Sequence, residues 1–92
     1  MIGVTGGTGF VGRLVARLAQ DSPVRILAMD LGAAPVKDVE YIVGEVTSPK
    51  VTDKFVQSCN AIIHLAGIAY SFRTEAEKQY SYKVNVEGTR TV

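Results

Sequence analysis

Hydrophobic and polar positions alternate along the chain in blocks that predict strands and helices in turn. Four short, mostly apolar runs are typical of strands, and the second has the composition expected of a strand that is covered on both faces. These runs are Met1–Thr5, Val24–Met29, Val39–Val43 and Ala61–Ala66. Strands that alternate with helices predict right-handed crossover connections and a parallel sheet. The pattern therefore predicts an α/β fold with a doubly wound parallel sheet.

Three segments have spacings that are typical of helices. The first has an apolar stripe that we expect to pack on the sheet, with arginines on the opposite face. This stripe consists of Val11, Leu14, Val15 and Leu18. The second is Val51–Cys59, after a Thr-Ser-Pro helix start, and the third begins at the capping box Thr74–Glu77 and should continue to Val92. The loop Asp30–Asp38 joins the second and third strands, so we expect that crossover to be abbreviated.

The composition is that of one globular domain at most. The 92 residues are 47% hydrophobic and 21% charged, with a formal net charge of +1. The charges are scattered, which argues against a nucleic-acid or anionic-membrane partner, since such surfaces need clustered basic residues. No apolar stretch approaches the roughly 20 residues that span a bilayer, and we see no signal peptide. The single cysteine, Cys59, cannot form an internal disulfide, which indicates a reducing, cytoplasmic location.

The strongest candidate for chemistry is the glycine-rich segment Thr5–Gly12, between the first strand and the first helix. A dinucleotide pyrophosphate needs a tight strand-to-helix turn, a backbone without Cβ atoms in its way, and N–H groups at a helix start. Gly6 can make the turn, Gly9 permits close approach, and Gly12 lets the helix pack on the strand. The helix dipole adds about half a positive charge at this end. The segment therefore predicts a dinucleotide-binding turn rather than a plain flexible loop.

Three motifs resemble the short-chain dehydrogenase/reductase superfamily, in particular its extended branch of NAD-dependent epimerases, dehydratases and related reductases. The first is Thr5–Gly12. The second, Ile62–Gly67, is similar to the family's fourth-strand motif, and the third, Tyr82–Thr89, is similar to its Asn-Val-x-Gly-Thr helix. The motifs stand in the family's order and cover nearly the whole chain. The resemblance implies the N-terminal part of a Rossmann-type parallel sheet, with four strands in the order 3-2-1-4.

By this resemblance, the pyrophosphate of a nicotinamide dinucleotide would lie on the glycine turn. Gly6, Gly9 and Gly12 would form the cradle, and Phe10 and Val11 would offer their backbone N–H groups. The implied cofactor is NAD, with NADP left open.

Three later segments would complete the cofactor site. Glu45 and Val46 stand where the family usually has Asp and an aliphatic residue in contact with the adenine. The residues after the fourth strand would line the nicotinamide-ribose side through backbone atoms: Leu65, Ala66 and Gly67. The side-chain amide of Asn85 would fix the fourth strand, and Gly88 would let its helix approach closely.

Two positions are candidates for the one that discriminates NAD from NADP. An acid about 20 residues after the glycines can bind the adenosine ribose hydroxyls and repel a 2′-phosphate, and Asp30 fits that spacing. The family's acid normally ends the second strand, however. That position could be Ala28, which would make Asp30 an ordinary loop residue. No arginine lies between Asp30 and Pro35 to receive a 2′-phosphate, which favours NAD.

Several other side chains have plainer interpretations. His64 has no Cys, His or paired carboxylate at ligand spacing, so a hydrogen-bonded strand histidine is favoured over a metal ligand. Cys59 is interpreted as a small apolar residue. We interpret Tyr80 and Tyr82 as packing residues. Tyr70 follows the fourth strand, at the end of the sheet where ligands bind, and is a candidate for substrate contact.

The family's catalytic pair is missing from the sequence. Its reaction needs a Tyr as acid/base and a Lys four residues later, and none of the tyrosines has a lysine at that spacing. In the family this pair follows the Asn-Val-x-Gly-Thr helix. We therefore expect it beyond Val92, in a longer protein of which residues 1–92 form the N-terminal, cofactor-binding part.

The leading hypothesis is the NAD(P)-binding portion of an oxidoreductase, either a nucleotide-sugar epimerase or dehydratase or a related reductase. For the whole protein the resemblance implies a small-molecule substrate, such as a nucleotide sugar, and a homodimer. We expect neither nucleic acid nor membrane as a partner. One alternative is a regulator that senses NAD(P) through the same fold without catalysis. Another is a flavin- or other nucleotide-binding module.

Overall fold

The computed structural model describes residues 1–19, 21–32, 36–68 and 74–92, which contain a parallel sheet flanked by helices. The strands are β1 (Ile2–Thr5), β2 (Val24–Ala28), β3 (Glu40–Val43) and β4 (Ala61–His64). The helices are α1 (Phe10–Leu18), α2 (Pro49–Val56), α3 (Glu75–Tyr82) and α4 (Thr89–Thr91), with a π-helical segment, Lys83–Gly88, between α3 and α4.

The strand order β3-β2-β1-β4 and the parallel pairing confirm the predicted sheet. Val4 on β1 lies opposite Ile26 on β2. Consecutive strand residues face opposite sides of a sheet. Val4 and Ile26 are buried in a cluster with Ala16 of α1, whereas Phe55 of α2 is buried on the other face, next to Gly3. Helices therefore cover both faces, as a doubly wound sheet requires.

Each strand is one or two residues shorter than the apolar run that predicted it. The largest difference is in β4, which ends at His64 rather than at Ala66. Leu65 N still reaches Thr5 O at 3.2 Å. However, Leu65 N and Ala66 N also donate to the Thr5 side-chain oxygen, each at 3.1 Å. A side chain thus takes the place of the next strand partner, and the regular strand ends there.

The buried face of α1 differs from the predicted one. Gly12 and Ala16 are buried, and of the predicted stripe Val15 packs against the core. The other members of the stripe keep much of their surface exposed: Val11 (53%), Leu14 (44%) and Leu18 (86%). The reason is steric. The helix lies so close to the backbone of the preceding turn that its smallest residues, rather than its largest apolar ones, must face the sheet.

The predicted long helix at the end of the chain is not a plain α-helix. Thr74 caps α3 as expected, since its Oγ1 accepts a hydrogen bond from Glu77 N at 3.1 Å. From Lys83 to Gly88 the backbone widens into a π-helix before α4 begins. Such segments are rare inside helices and occur frequently at functional sites. The sequence therefore predicts the long helix, which is continuous to Thr91, but its periodicity does not reveal the change of geometry within it.

Arg25 joins β2 and β3 to the end of α2. Its Nη1 donates to the carbonyl oxygens of Phe55 at 2.9 Å and Gln57 at 2.6 Å, at a helix end where carbonyls lack helical partners. The positive charge also complements the negative end of the helix dipole. Arg25 Nε lies 3.1 Å from a carboxylate oxygen of Glu40, an ion pair without hydrogen-bond alignment. One side chain therefore fixes α2 against the sheet.

We expect Arg25→Met to lower the free energy of unfolding by about 1.5–3 kcal/mol, because methionine keeps an aliphatic stem but leaves the carbonyls without their charged donor. Arg17→Met, at an exposed position in the last turn of α1, is the matched control. It should change stability by about 0.5 kcal/mol or less. Urea denaturation followed by circular dichroism measures both. Equal stability of the two variants would show that Arg25 does not hold α2 in place.

Candidate functional site

The glycine turn begins where β1 ends and leads directly into α1. Gly6 has a φ of 67°, in the left-handed region that favours glycine. Its N–H donates to Leu27 O on β2 at 2.9 Å, and its oxygen accepts from Gly9 N at 3.1 Å, which closes the turn. Gly9 is the N-cap of α1. The first amides of the helix, which include those of Phe10 and Val11, therefore have no helical acceptor.

The glycines of this turn serve two different purposes. A Cβ at Gly12 would lie 2.5 Å from Gly7 Cα and closer still to Gly6 O, so the fold itself excludes a side chain there. Gly9 differs, because its φ is −74° and a Cβ would meet only Gly6 O, at 3.4 Å, among the described residues. The fold therefore has room for a Cβ at Gly9.

A cavity of about 280 Å³ lies beyond the carboxyl ends of the strands. This is the edge at which open parallel α/β sheets bind ligands, and the volume is at the lower end for small-molecule sites. Seven of the residues predicted to bind the cofactor line it: Gly6, Gly9, Glu45, Val46, Leu65, Ala66 and Gly67. Three distant parts of the chain therefore meet in one place.

The other predicted residues are not in the wall of this cavity. The side chains of Phe10 and Val11 are largely exposed, at 83% and 53%, which leaves their backbone amides for the predicted contact. Gly12 is buried where α1 meets the turn. The side chain of Asn85 forms hydrogen bonds with the backbone of Ile68, in the segment that follows β4.

The end of β2 places Ala28 and Met29 in the cavity wall. Ala28 is the last residue of β2 and pairs with Val43 of β3, as the alternative interpretation of cofactor choice requires. The Asp30 side chain is exposed, and its Oδ1 accepts a hydrogen bond from Gly32 N at 2.8 Å, which closes a turn in the loop. The second carboxylate oxygen takes no part in that bond. The ribose contact of Asp30 therefore stays a prediction.

Several residues of the cavity wall were not predicted from the sequence. Tyr80 and Met29 both line it, with Tyr80 Oη 4.0 Å from Met29 Sδ, and Val84 lies beside them. The signal is present in the sequence, since Tyr80 and Val84 have the spacing of one helix face and Met29 follows a strand end. Tyr82 is 56% exposed, so the packing expected for it was wrong. Tyr70 lies outside the described residues.

The amide of Asn85 satisfies both backbone groups of Ile68, in the segment after β4. Its Oδ1 accepts from Ile68 N at 2.7 Å, and its Nδ2 donates to Ile68 O at 2.9 Å. Nδ2 also lies 3.2 Å from Ser81 Oγ on α3. An amide can offer this donor and acceptor pair in the way a neighbouring strand would. The π-helical segment that carries Asn85 is thereby bonded to the residue next to the cavity-lining Gly67.

His64 has a hydrogen-bond partner at each ring nitrogen, which confirms its interpretation as a satisfied strand histidine. Nδ1 lies 2.6 Å from Thr5 Oγ1, and Nε2 lies 2.8 Å from Thr89 Oγ1. Burial lowers the pKa of His64 from its usual 6.5. In the ranges that the structure describes, no group of three or more His, Cys, Asp or Glu could hold a metal ion. No helix in these ranges is both long and apolar enough to cross a membrane.

The sheet order, the glycine turn at a strand end and the cavity beside it define a dinucleotide-binding type of α/β fold. Comparison with known proteins identifies the family within this type. The model of the NAD dependent epimerase/dehydratase family matches residues 2–92. The chain belongs to this family, as its three sequence motifs indicate.

Three similar proteins illustrate the relationship. The chain is 31% identical to the ceramide reductase of Caulobacter vibrioides, a match that covers 98% of the chain and 29% of the relative. It is 36% identical to human 3 beta-hydroxysteroid dehydrogenase type 7, a match that covers 97% of the chain and 27% of that relative. Among solved structures, the chain is similar to a short-chain dehydrogenase/reductase superfamily protein from Agrobacterium tumefaciens with bound NAD. The two are 30% identical with a TM-score of 0.81, and the match covers 98% of this chain and 26% of the other. The chain therefore spans less than a third of the length of these relatives.

We expect Asn85→Asp to lower the free energy of unfolding by about 1–3 kcal/mol, because a carboxylate can accept from Ile68 N but cannot donate to Ile68 O. Gln79→Glu makes the same chemical change at an exposed position of α3 and should alter stability by about 0.5 kcal/mol or less. Thermal unfolding compares the two variants. An Asn85→Asp variant that is as stable as Gln79→Glu would contradict this role.

Proposed function

We propose that the chain binds NAD and forms the cofactor-binding part of an oxidoreductase of the epimerase/dehydratase family. The observation that carries the proposal is Gly9. The fold has room for a Cβ at this position, and Gly9 lines the cavity, so a ligand that needs the space explains the glycine. The first amides of α1 begin at the same point, a position suited to phosphate oxygens. The bound NAD in the Agrobacterium relative supports the same cofactor here.

In this proposal, three parts of the cavity wall take three parts of the cofactor. The glycine turn and the first amides of α1 hold the pyrophosphate. Glu45 and Val46 bound the adenine, and Leu65–Gly67 lines the nicotinamide-ribose side. When bound, NAD supplies the nicotinamide ring that accepts or donates a hydride. The residues of this chain bind and orient it.

For the whole protein we propose the oxidation or reduction of a small molecule. The names of the curated relatives, a ceramide reductase and a hydroxysteroid dehydrogenase, both denote redox reactions and support this class. The catalytic Tyr and Lys are expected beyond Val92. A nucleotide sugar as substrate, a homodimer and a cytoplasmic location remain predictions from the family resemblance.

Gly9→Val tests cofactor binding. In the full-length protein the valine should lower NAD affinity by about tenfold to 100-fold, the equivalent of roughly 1–3 kcal/mol of overpacking, because it fills the space meant for phosphate. Stability should fall by about 1 kcal/mol at most, since valine is a poor N-cap residue. Gly12→Val is the contrasting variant, because there the side chain meets backbone and the fold itself should fail. Calorimetric NAD affinity that is unchanged by Gly9→Val would refute the proposal.

Asp30→Asn tests cofactor choice. Asparagine keeps an oxygen that can accept from Gly32 N but removes the negative charge, so the effect on a 2′-phosphate is separated from the effect on the turn. The preference for NAD over NADP should shrink about tenfold or more, which is roughly 1.4 kcal/mol. Asp21→Asn, at an exposed turn residue outside the cavity wall, is the control. A preference unchanged by Asp30→Asn would assign the discriminating position to Ala28.

A further inference from the structure

The hydroxyl of Thr5 has only one possible direction. The residue is 0% exposed, and its Oγ1 accepts hydrogen bonds from Leu65 N and Ala66 N, each at 3.1 Å. A hydroxyl oxygen has two lone pairs and one hydrogen. Both lone pairs are used by the two amides, so the hydrogen must point to the third neighbour, His64 Nδ1, at 2.6 Å. Nδ1 is therefore an acceptor and carries no proton.

The other ring nitrogen leads to the same result independently. Thr89 Oγ1 donates its only hydrogen to Asn85 O at 2.6 Å. The same oxygen lies 2.8 Å from His64 Nε2 and can only accept there, so Nε2 must carry a proton. Both ends select the neutral ring protonated at Nε2. A continuous chain of hydrogen bonds thus runs from Thr5 through His64 and Thr89 to Asn85.

We propose that His64 is a positioning residue of the cofactor site, whose neutral, Nε2-protonated ring connects β1 through Thr89 of α4 to the π-helical segment and holds Leu65–Gly67 against the glycine turn. This inference rests on the proposed binding of NAD in the cavity. The glycine turn and Leu65–Gly67 are in direct contact, since a Cβ at Gly6 would lie 2.9 Å from Ala66 N. Both also line the cavity, so a displacement of one against the other changes the space for the cofactor.

Protonation of the ring breaks this chain of hydrogen bonds at Thr5. With a proton on Nδ1, the ring becomes a donor, and the Thr5 hydroxyl loses the acceptor for its hydrogen. To accept from Nδ1–H, the oxygen must release Leu65 N or Ala66 N. Leu65 N would keep its bond to Thr5 O, so the hydrogen bond that the Leu65–Gly67 wall stands to lose is that of Ala66 N.

The surroundings of His64 favour the neutral ring. Burial lowers its pKa, and its partners on β1 and α4 are uncharged hydroxyls. Neither β1 nor the rest of β4 has a charged side chain, and those of the π-helical segment and α4 are exposed: Lys83, Glu87 and Arg90. Because the folded-state pKa lies below the unfolded value of about 6.5, the contribution of His64 is complete above that pH. It is lost as the pH falls below 6.5 and through the folded-state pKa.

The pH dependence of NAD affinity tests the proposal. His64→Asn is the matched variant, because the asparagine oxygen can replace Nδ1 as the acceptor for Thr5 but does not titrate. From about pH 8 to about pH 5, wild-type affinity should fall about fivefold, and that of the variant less than about twofold. The two proteins carry the same carboxylates, so the difference between their pH dependences reports on His64. The same pH dependence in both proteins, or a wild-type affinity that does not fall, would overturn the positioning role.

The tautomer provides a measurement that does not require the cofactor. The 92-residue sequence contains one histidine, so ¹⁵N NMR of the histidine-labelled chain reports on His64 without ambiguity. We expect a protonated Nε2 and an unprotonated Nδ1 above neutral pH, and faster exchange of the Ala66 amide once the ring is protonated. The opposite tautomer, or an Ala66 amide indifferent to protonation, would overturn the inference. Absence of NAD binding at every pH would instead refute the proposed function while the NMR result stands.

Discussion

The contact between the glycine turn and the chain after β4 sets the geometry on which the site depends. Gly6 comes so close to this chain that a Cβ would lie 2.9 Å from both Leu65 C and Ala66 N. Thr5, the residue before it, supplies the oxygen that accepts the amides of Leu65 and Ala66. Thr5 also pairs with Leu27 on β2 and with His64 on β4. Its position therefore fixes the end of β4 and the start of α1 together. A shift at this one point would move two walls of the cavity.

Side chains complete the structure where regular backbone pairing stops. After His64 the backbone amides of Leu65 and Ala66 donate to the Thr5 side chain. At Ile68 the side chain of Asn85 bonds both backbone groups. The segment is only half-buried, but its backbone groups next to the cavity are bonded by side chains in place of a neighbouring strand. The π-helical segment provides one of them, which connects the unusual helix geometry directly to the cavity wall.

The fold was largely predictable, because the apolar runs are visible in the sequence, crossover handedness follows a general rule, and the family resemblance implies the strand order. The buried face of α1 was not, since periodicity gives weight to large apolar residues, whereas close backbone contact selects Gly12 and Ala16. The π-helical segment escaped for a similar reason, because its local residues have an ordinary helical pattern. The hydrogen-bond chain through His64 joins residues 59 and 25 positions apart, and no local pattern reports such a link.

The residues of the cavity wall were predicted better than the reasons for their presence. A glycine pattern does not distinguish a glycine that the backbone needs from one that a ligand needs. Gly12 is explained by the fold alone, because any Cβ there would overlap the turn. Gly9 has an ordinary φ, and a Cβ there would make only an ordinary contact with Gly6 O, so packing does not exclude a side chain. A glycine motif is therefore evidence for binding only to the extent that packing leaves some of its members unexplained, and in this chain that residue is Gly9.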